Sequence, residues 1–218
     1  IAGAAEVTSY GRLFAPAVFI TVGSNMTRQQ QVVIVGGGVI GLLTAYNLAS
    51  EVRSVVLLDR SNVGQESSWA GGGIVSPLYP WRYSPAVTAL AHWSQDFYPQ
   101  LGERLFADTG VDPEVHTTGL YWLDLEDETE ALAWAEREDR PLRAVDISAV
   151  HDAVPVLGGG FARAIYMADV ANVRNPRLVK SLKAALLALP NVTIHEQCEV
   201  SGFVREGERV IGVETSKG

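Results

Sequence analysis

The chain has 218 residues, which is room for one or two domains. Its 17 Lys and Arg against 25 Asp and Glu leave a net charge of −8, which argues against a chain-wide electrostatic grip on nucleic acid or anionic lipid. With 47% hydrophobic and 19% charged residues the composition is that of a globular chain rather than a disordered one, and no apolar run reaches the roughly 18 residues of a membrane span.

The first residue is Ile rather than Met, and Met26 lies just ahead of a strand-like run, so residues 1–30 read as an upstream or non-native extension. Leu13 to Gly23 is apolar and follows Arg12, in the manner of a short signal peptide, but no clear A-x-A-like site separates it from the next strand. Gln31 to Val35 is a β-branched run suited to a strand buried on both faces. Val39 to Ala49 reads as a helix with Ile40, Leu43 and Leu48 toward the core, and Ser54 to Leu58 as a second buried strand ending at Asp59. This strand–helix–strand unit has the size of a βαβ crossover.

Residues 60–82 are rich in Gly and Ser and read as loops with a short helix. Ser84-Pro85 is an N-cap with proline at the first helical position. The helix that follows should carry Leu90, Trp93, Phe97, Leu101 and Leu105 on one face and be kinked or divided at Pro99. Val115 to Leu125 has strand composition, and Asp127 with Glu130 resembles a capping box opening a helix through Arg140. Phe161 to Met167 reads as a strand. Asn175-Pro176 opens a helix whose apolar side is Leu178, Leu182, Ala185, Leu186 and Leu189. Val192 to Ile194 and Cys198 to Val204 are strands, and Glu206-Gly207 turns into Val210 to Val213. A strand ending in the turn-like Ser216-Lys217-Gly218 expects a returning partner, so the chain reads as truncated at its C-terminus.

One cysteine, Cys198, excludes an internal disulfide, and His92, His116, His151 and His195 lack metal-ligand spacing. A reducing, cytoplasmic setting without a metal site is the expectation. The chemistry concentrates elsewhere. Gly36-Gly37-Gly38-Val39-Ile40-Gly41 contains G-x-G-x-x-G between a buried strand and a helix, and Asp59 closes the next strand. Gly36 suits the tight turn, Gly38 a close approach of pyrophosphate, and Gly41 close packing of helix on sheet. The helix N-terminus presents free N–H groups to the phosphates, and Asp59 is placed to accept ribose hydroxyls. Asp59 would repel a 2′-phosphate, so FAD or NAD leads NADP. Arg60 reads equally as a ligand contact or a solvated side chain. Gly64-Gln65-Glu66-Ser67-Ser68-Trp69-Ala70-Gly71-Gly72-Gly73-Ile74 follows the acid closely. It suits either a long, extended cofactor or a flexible surface loop. His92 and His116 read as packed or partly exposed side chains, so no catalytic residue is assigned. The five tryptophans read as core or interface residues, and the acids of Glu126 to Glu130 as a solvated helix start.

These segments, with Ala91-His92-Trp93-Ser94-Gln95-Asp96-Phe97-Tyr98, Thr109-Gly110-Val111-Asp112 and Asp169-Val170-Ala171-Asn172-Val173-Arg174-Asn175-Pro176, resemble the D-amino-acid-oxidase-type flavin amine oxidases, in particular their glycine-oxidizing branch that serves thiamine thiazole synthesis. The resemblance runs from about Val32 to Gly218. It implies an α/β fold: a discontinuous Rossmann-like FAD-binding domain over residues 31–110 and 170–218, and the start of a smaller α+β substrate domain over 111–169.

The resemblance further implies non-covalent FAD. Gly36, Gly38, Val39, Ile40 and Gly41 match the pyrophosphate loop. Asp59 and Arg60 match the adenosine-ribose pair, and Ser67 and Ser68 match hydroxyls beside the pyrophosphate. Gly72, Gly73 and Ile74 match the stretch passing the flavin ring. Val200 matches a strand position whose backbone meets adenine, and equally suits an ordinary packed valine. The implied reaction is oxidative deamination of glycine or another small amine or amino acid, with O2 reduced to H2O2. Sarcosine oxidase, a D-amino-acid dehydrogenase and a non-catalytic dinucleotide-binding fragment are the other readings. The family's substrate-carboxylate arginine and the aromatic residues over the flavin would lie beyond Gly218. A homo-oligomer is compatible with the sequence; nucleic acid and a membrane span are not expected.

Overall fold

The computed structural model describes residues 18–22 and 31–217, the first segment by its backbone alone. The expected extension over residues 1–30 and its signal-like stretch therefore lie outside the described residues except for Val18–Val22, and Gly218 lies outside them too. By its internal contacts the chain forms two compact units. Of the described residues, the first unit takes 18–22, 31–72, 103–113 and 175–217, and the second 73–102 and 114–174.

The first unit opens with β1 (Val18–Val22) and β2 (Gln31–Val35), which pair antiparallel. The sequence reading leaves β1 out, although Val-Phe-Ile-Thr-Val is strand-forming by its β-branched and aromatic content. α1 (Val39–Leu48) then crosses to β3 (Ser54–Leu58), which lies parallel to β2. Ile34, Val55 and Leu57 are fully buried, as a strand covered on both faces requires. The core face of α1 differs from the expected one. Gly41, Leu42 and Ala45 are buried, while Ile40, Leu43 and Leu48 are only half-buried. The face that carries Gly41 turns inward, where a Cβ would lie 1.9 Å from Gly36 O and 3.5 Å from Ile34 Cγ2, and Ile40, Leu43 and Leu48 fall outside it. A one-turn helix, α2 (Ser67–Ala70), closes this part of the unit.

The second unit begins with the short β4 (Ile74–Val75) and a 3₁₀ turn at Pro80–Arg82. α3 (Pro85–Thr109) runs unbroken through Pro99 rather than dividing there, and contributes to both units. Leu101 and Leu105 are fully buried, but Trp93 is about half exposed and the N-terminal half buries Thr88 and Gln95 instead. The Gln95 Oε1 accepts from Arg140 Nη2 at 2.9 Å, and Arg140 also pairs with Asp169, so a polar network sets which face of this half turns inward.

Val115 to Leu125 is not one strand. β5 (His116–Thr117) and β6 (Leu120–Leu123) are separated by Gly119, whose φ of +72° breaks the extended run. α4 (Glu128–Arg137) ends before Arg140, and Asp127 makes no side-chain cap bond. Its Oδ2 accepts from Trp81 Nε1 and from Arg82 Nε, each at 2.7 Å, and its Oδ1 from Arg82 Nη2 at 2.9 Å. Charge-assisted bonds of this kind outweigh a cap bond. Arg82, then Trp81, holds the Asp127 carboxyl well below the usual carboxylate range.

β7 (Leu142–Val145) and α5 (Ile147–Ala153) have no counterpart in the sequence reading. β8 (Ala164–Met167) is shorter than expected at its N-terminal end, and β9 (Ala171–Asn172) follows. Two antiparallel sheets result, in the orders β6-β8-β7 and β4-β9-β5. Trp81, Trp122, Trp134, Ile165 and Met167 build the core, with the Trp81 and Trp122 rings edge-on at 5.4 Å.

The chain then returns to the first unit with α6 (Asn175–Leu187) and β10 (Val192–His195). β10 extends the sheet in parallel, giving the order β1-β2-β3-β10. Leu178, Val179, Ser181, Leu182, Ala185 and Leu186 are the buried side of α6, while Leu189, expected there, lies past its end and is half-buried. β11 (Val200–Glu206) and β12 (Arg209–Thr215) form an antiparallel hairpin.

Candidate dinucleotide site

The loop between β2 and α1 is built by exclusion of side chains. Gly36 sits at φ +102°, a left-handed region open to glycine, and its N–H donates to Leu58 O at 2.8 Å. A Cβ on Gly41 would lie 1.9 Å from Gly36 O, so the first turn of α1 rests directly on the turn before it. Gly37 occupies a position the motif leaves open, yet a Cβ there would lie 2.8 Å from Val63 Cγ2 and 3.0 Å from Asp59 Oδ2.

At the N-terminus of α1 the cap residue is Gly38, which supplies no side-chain bond, and the first turn holds no acidic residue. The first N–H groups of a helix lack intrahelical partners. Val39 N–H donates to Ser68 Oγ at 2.9 Å, which brings the hydroxyl from α2 to this helix end. Asp59 faces the same turn. Its Oδ2 accepts from Gly37 N–H at 2.6 Å, and its Oδ1 from Ser61 N–H at 2.7 Å and Ser61 Oγ at 3.2 Å. A carboxylate offers about four acceptor sites, so one remains open.

The structure thus brings Gly36 through Gly41, Asp59 and Ser68 to one place. The other sequence-derived candidates have their own surroundings. Arg60 is turned to Glu66, donating to both of its carboxylate oxygens at 3.0 to 3.2 Å. Ser67 is exposed at the start of α2, and Val200 is half-buried in β11, where it pairs with Thr215. Gly72 is the last residue of the first unit's opening segment. Gly73 and Ile74 belong to the second unit: Gly73 O accepts from Val173 N–H at 2.8 Å, and the exposed Ile74 pairs with Asn172.

A group that no motif singles out supports the Asp59 side of the loop. Residues 195–198 strap across 59–63 through Asp59 N–H to His195 O (3.0 Å), Cys198 N–H to Asp59 O (2.7 Å) and Gln197 N–H to Ser61 O (3.1 Å). Glu196 Oε1 completes the strap, accepting from Val63 N–H at 2.9 Å and from Lys183 Nζ at 2.7 Å. The Lys183 ammonium holds the Glu196 carboxyl below its usual value against the opposing effect of burial. Position 196 lies 133 residues from position 63, so no local pattern carries this signal.

The family model for FAD dependent oxidoreductases (DAO) matches residues 31–218. The chain belongs to this family. FAD is therefore the dinucleotide its members use, and NAD no longer stands beside it. Among its relatives, the glycine oxidase of Pseudomonas putida is 79% identical over 87% of this chain and 52% of its own length. The glycine oxidase of Pseudomonas aeruginosa is 65% identical over the same shares. The crystal structure of glycine oxidase from Bacillus cereus superimposes with a TM-score of 0.76 at 30% identity, covering 85% of this chain and 51% of that one. The chain spans about half the length of the relatives it matches.

The residues present fit FAD. The first turn of α1 offers N–H donors and contains no acidic residue of its own, Gly38 leaves the backbone bare, and Asp59 keeps an acceptor open for a ribose hydroxyl. Among the described residues no group of His, Cys, Asp and Glu could hold a metal ion, and no helix is long and apolar enough to cross a membrane.

Proposed function

We propose that this chain is the FAD-holding part of an oxidase that deaminates glycine or another small amine or amino acid. The observation that carries the reading is the convergence of the glycine loop, Ser68 and Asp59 in a chain 79% identical to a glycine oxidase. The net reaction takes the amine, O2 and water to the oxo acid, ammonia and H2O2. When bound, FAD supplies the acceptor for a hydride from the substrate Cα and the route of both electrons to O2.

The chain's own residues bind and orient. The N–H groups opening α1 hold the pyrophosphate, with Ser68 fixing the Val39 end of that set. Asp59 holds the adenosine ribose, and Gly72, Gly73 and Ile74 line the flavin-ring end. Arg60 acts through its pair with Glu66, and Val200 presents backbone to the adenine. The domain division follows the resemblance: residues 31–110 and 170–218 hold FAD, and 111–169 begin the substrate domain. Service to thiamine thiazole synthesis follows from the same resemblance. The lone, buried Cys198 suits a reducing, cytoplasmic setting.

A peroxide assay on the intact protein, with glycine, sarcosine and D-alanine as substrates and O2 or a quinone as acceptor, tests the reading. Glycine-dependent peroxide at a rate above the other substrates is expected. Turnover with quinone alone would replace the oxidase by a dehydrogenase.

A further inference from the structure

Glu196 stands outside the glycine motif and outside the ribose acid, yet it bears on both. Its Oε1 holds Val63 N–H at 2.9 Å, and Val63 is buried to 4% exposure. The Val63 side chain in turn sits against the glycine turn, so close that a Cβ on Gly37 would come within 2.8 Å of its Cγ2. Gly37 N–H is itself bonded to Asp59 Oδ2. A continuous mechanical path therefore runs from Lys183 on α6 through Glu196 and Val63 to the glycine turn and the Asp59 carboxylate. In the strap of residues 195–198 the other three bonds are backbone to backbone and insensitive to side-chain identity. Glu196 is the member of the strap whose side chain sets the position of the loop.

We propose that Glu196, steadied by Lys183, is a positioning residue for the adenosine-diphosphate half of the cofactor, acting through Val63 on the Gly37–Asp59 contact. The proposal rests on the FAD reading above. It makes a distinction between the two roles of the carboxylate. Glutamine at 196 keeps an oxygen for Val63 N–H, now a neutral acceptor, and loses the ion pair, which is partly exposed and of small worth. Alanine leaves Val63 N–H without its acceptor and the loop free to drift.

ADP is the probe, because it carries the pyrophosphate and adenosine ribose without the flavin. Titration calorimetry on the cofactor-free protein should give Glu196→Gln an ADP affinity within about threefold of the parent, and Glu196→Ala a loss of about tenfold, as one charge-assisted bond is worth. Riboflavin affinity, measured by fluorescence quenching, should be the same in all three. Parallel loss of ADP and riboflavin affinity in Glu196→Ala would show a general structural role and overturn the proposal, as would an Ala variant that binds ADP like the parent. A parent protein that binds no ADP would refute the dinucleotide reading itself, a result separate from both.

Discussion

Gly41→Ala sets local propensity against tertiary geometry. Alanine is favoured over glycine in a helix by about 1 kcal/mol, so propensity alone predicts a more stable protein. The structure predicts the reverse. The new Cβ would stand 1.9 Å from Gly36 O and 3.1 Å from Gly36 C, both backbone atoms. Rotamer change gives no relief, and the turn is held by Gly36 N–H on Leu58 O at 2.8 Å and Leu42 N–H on Gly38 O at 2.9 Å. Relief requires α1 to lift off β2. Overpacking of this severity costs about 3 kcal/mol. Subtracting the propensity gain of about 1 kcal/mol leaves a net loss of about 2 kcal/mol. For a chain of this size that lowers Tm by about 4–8 °C. Differential scanning calorimetry of the cofactor-free protein reads the effect without interference from ligand. An unchanged or raised Tm would refute the packing argument.

Three further outcomes follow from the same geometry. Asp59→Ala should weaken FAD binding by about 1.5–3 kcal/mol while leaving FMN, which lacks the adenosine ribose, nearly unaffected; equal losses for both would point to misfolding. Burial, then Arg140, pushes the His92 imidazole below its ordinary value. The unfolded chain then binds the extra proton first, so stability falls as pH drops below about 6.5. His92→Gln should show a smaller loss of urea midpoint between pH 7 and 5, and equal losses in both proteins would contradict this. Trp122→Phe removes the Nε1–H donor to Leu78 O (2.8 Å) and ring volume from the core, and should cost about 2 kcal/mol by urea unfolding; a loss under 0.5 kcal/mol would contradict the packing described.

Legibility from sequence followed the range of the interactions that decide each element. Gln31–Val35 and Ser54–Leu58 stand in the structure as read, because a β-branched run with glycine at its end is a local signal. The burial of α1 was not legible in the same way: which face turns inward depends on Gly36 O beneath Gly41, a contact between elements. Asp127 shows the limit most plainly. Its spacing to Glu130 suits a cap, yet Trp81 and Arg82, some 45 residues away, take its carboxylate. In the candidate site the glycines and Asp59 were legible because each has a fixed offset along the chain. Glu196, Val63 and the need for glycine at position 37 were not, since those contacts exist only once β10 lies beside β3.

FAD binding at the loop between β2 and α1 is the property to measure. The intact protein, purified and then denatured, should release FAD identified by chromatography against FMN and NAD standards, after showing the two-band absorbance of an oxidised flavin. Gly38→Asp, which places a carboxylate at the open helix N-terminus, should purify with that absorbance lost and its fold retained by circular dichroism. A colourless parent that carries NAD, or a Gly38→Asp variant that retains a full complement of FAD, would contradict it.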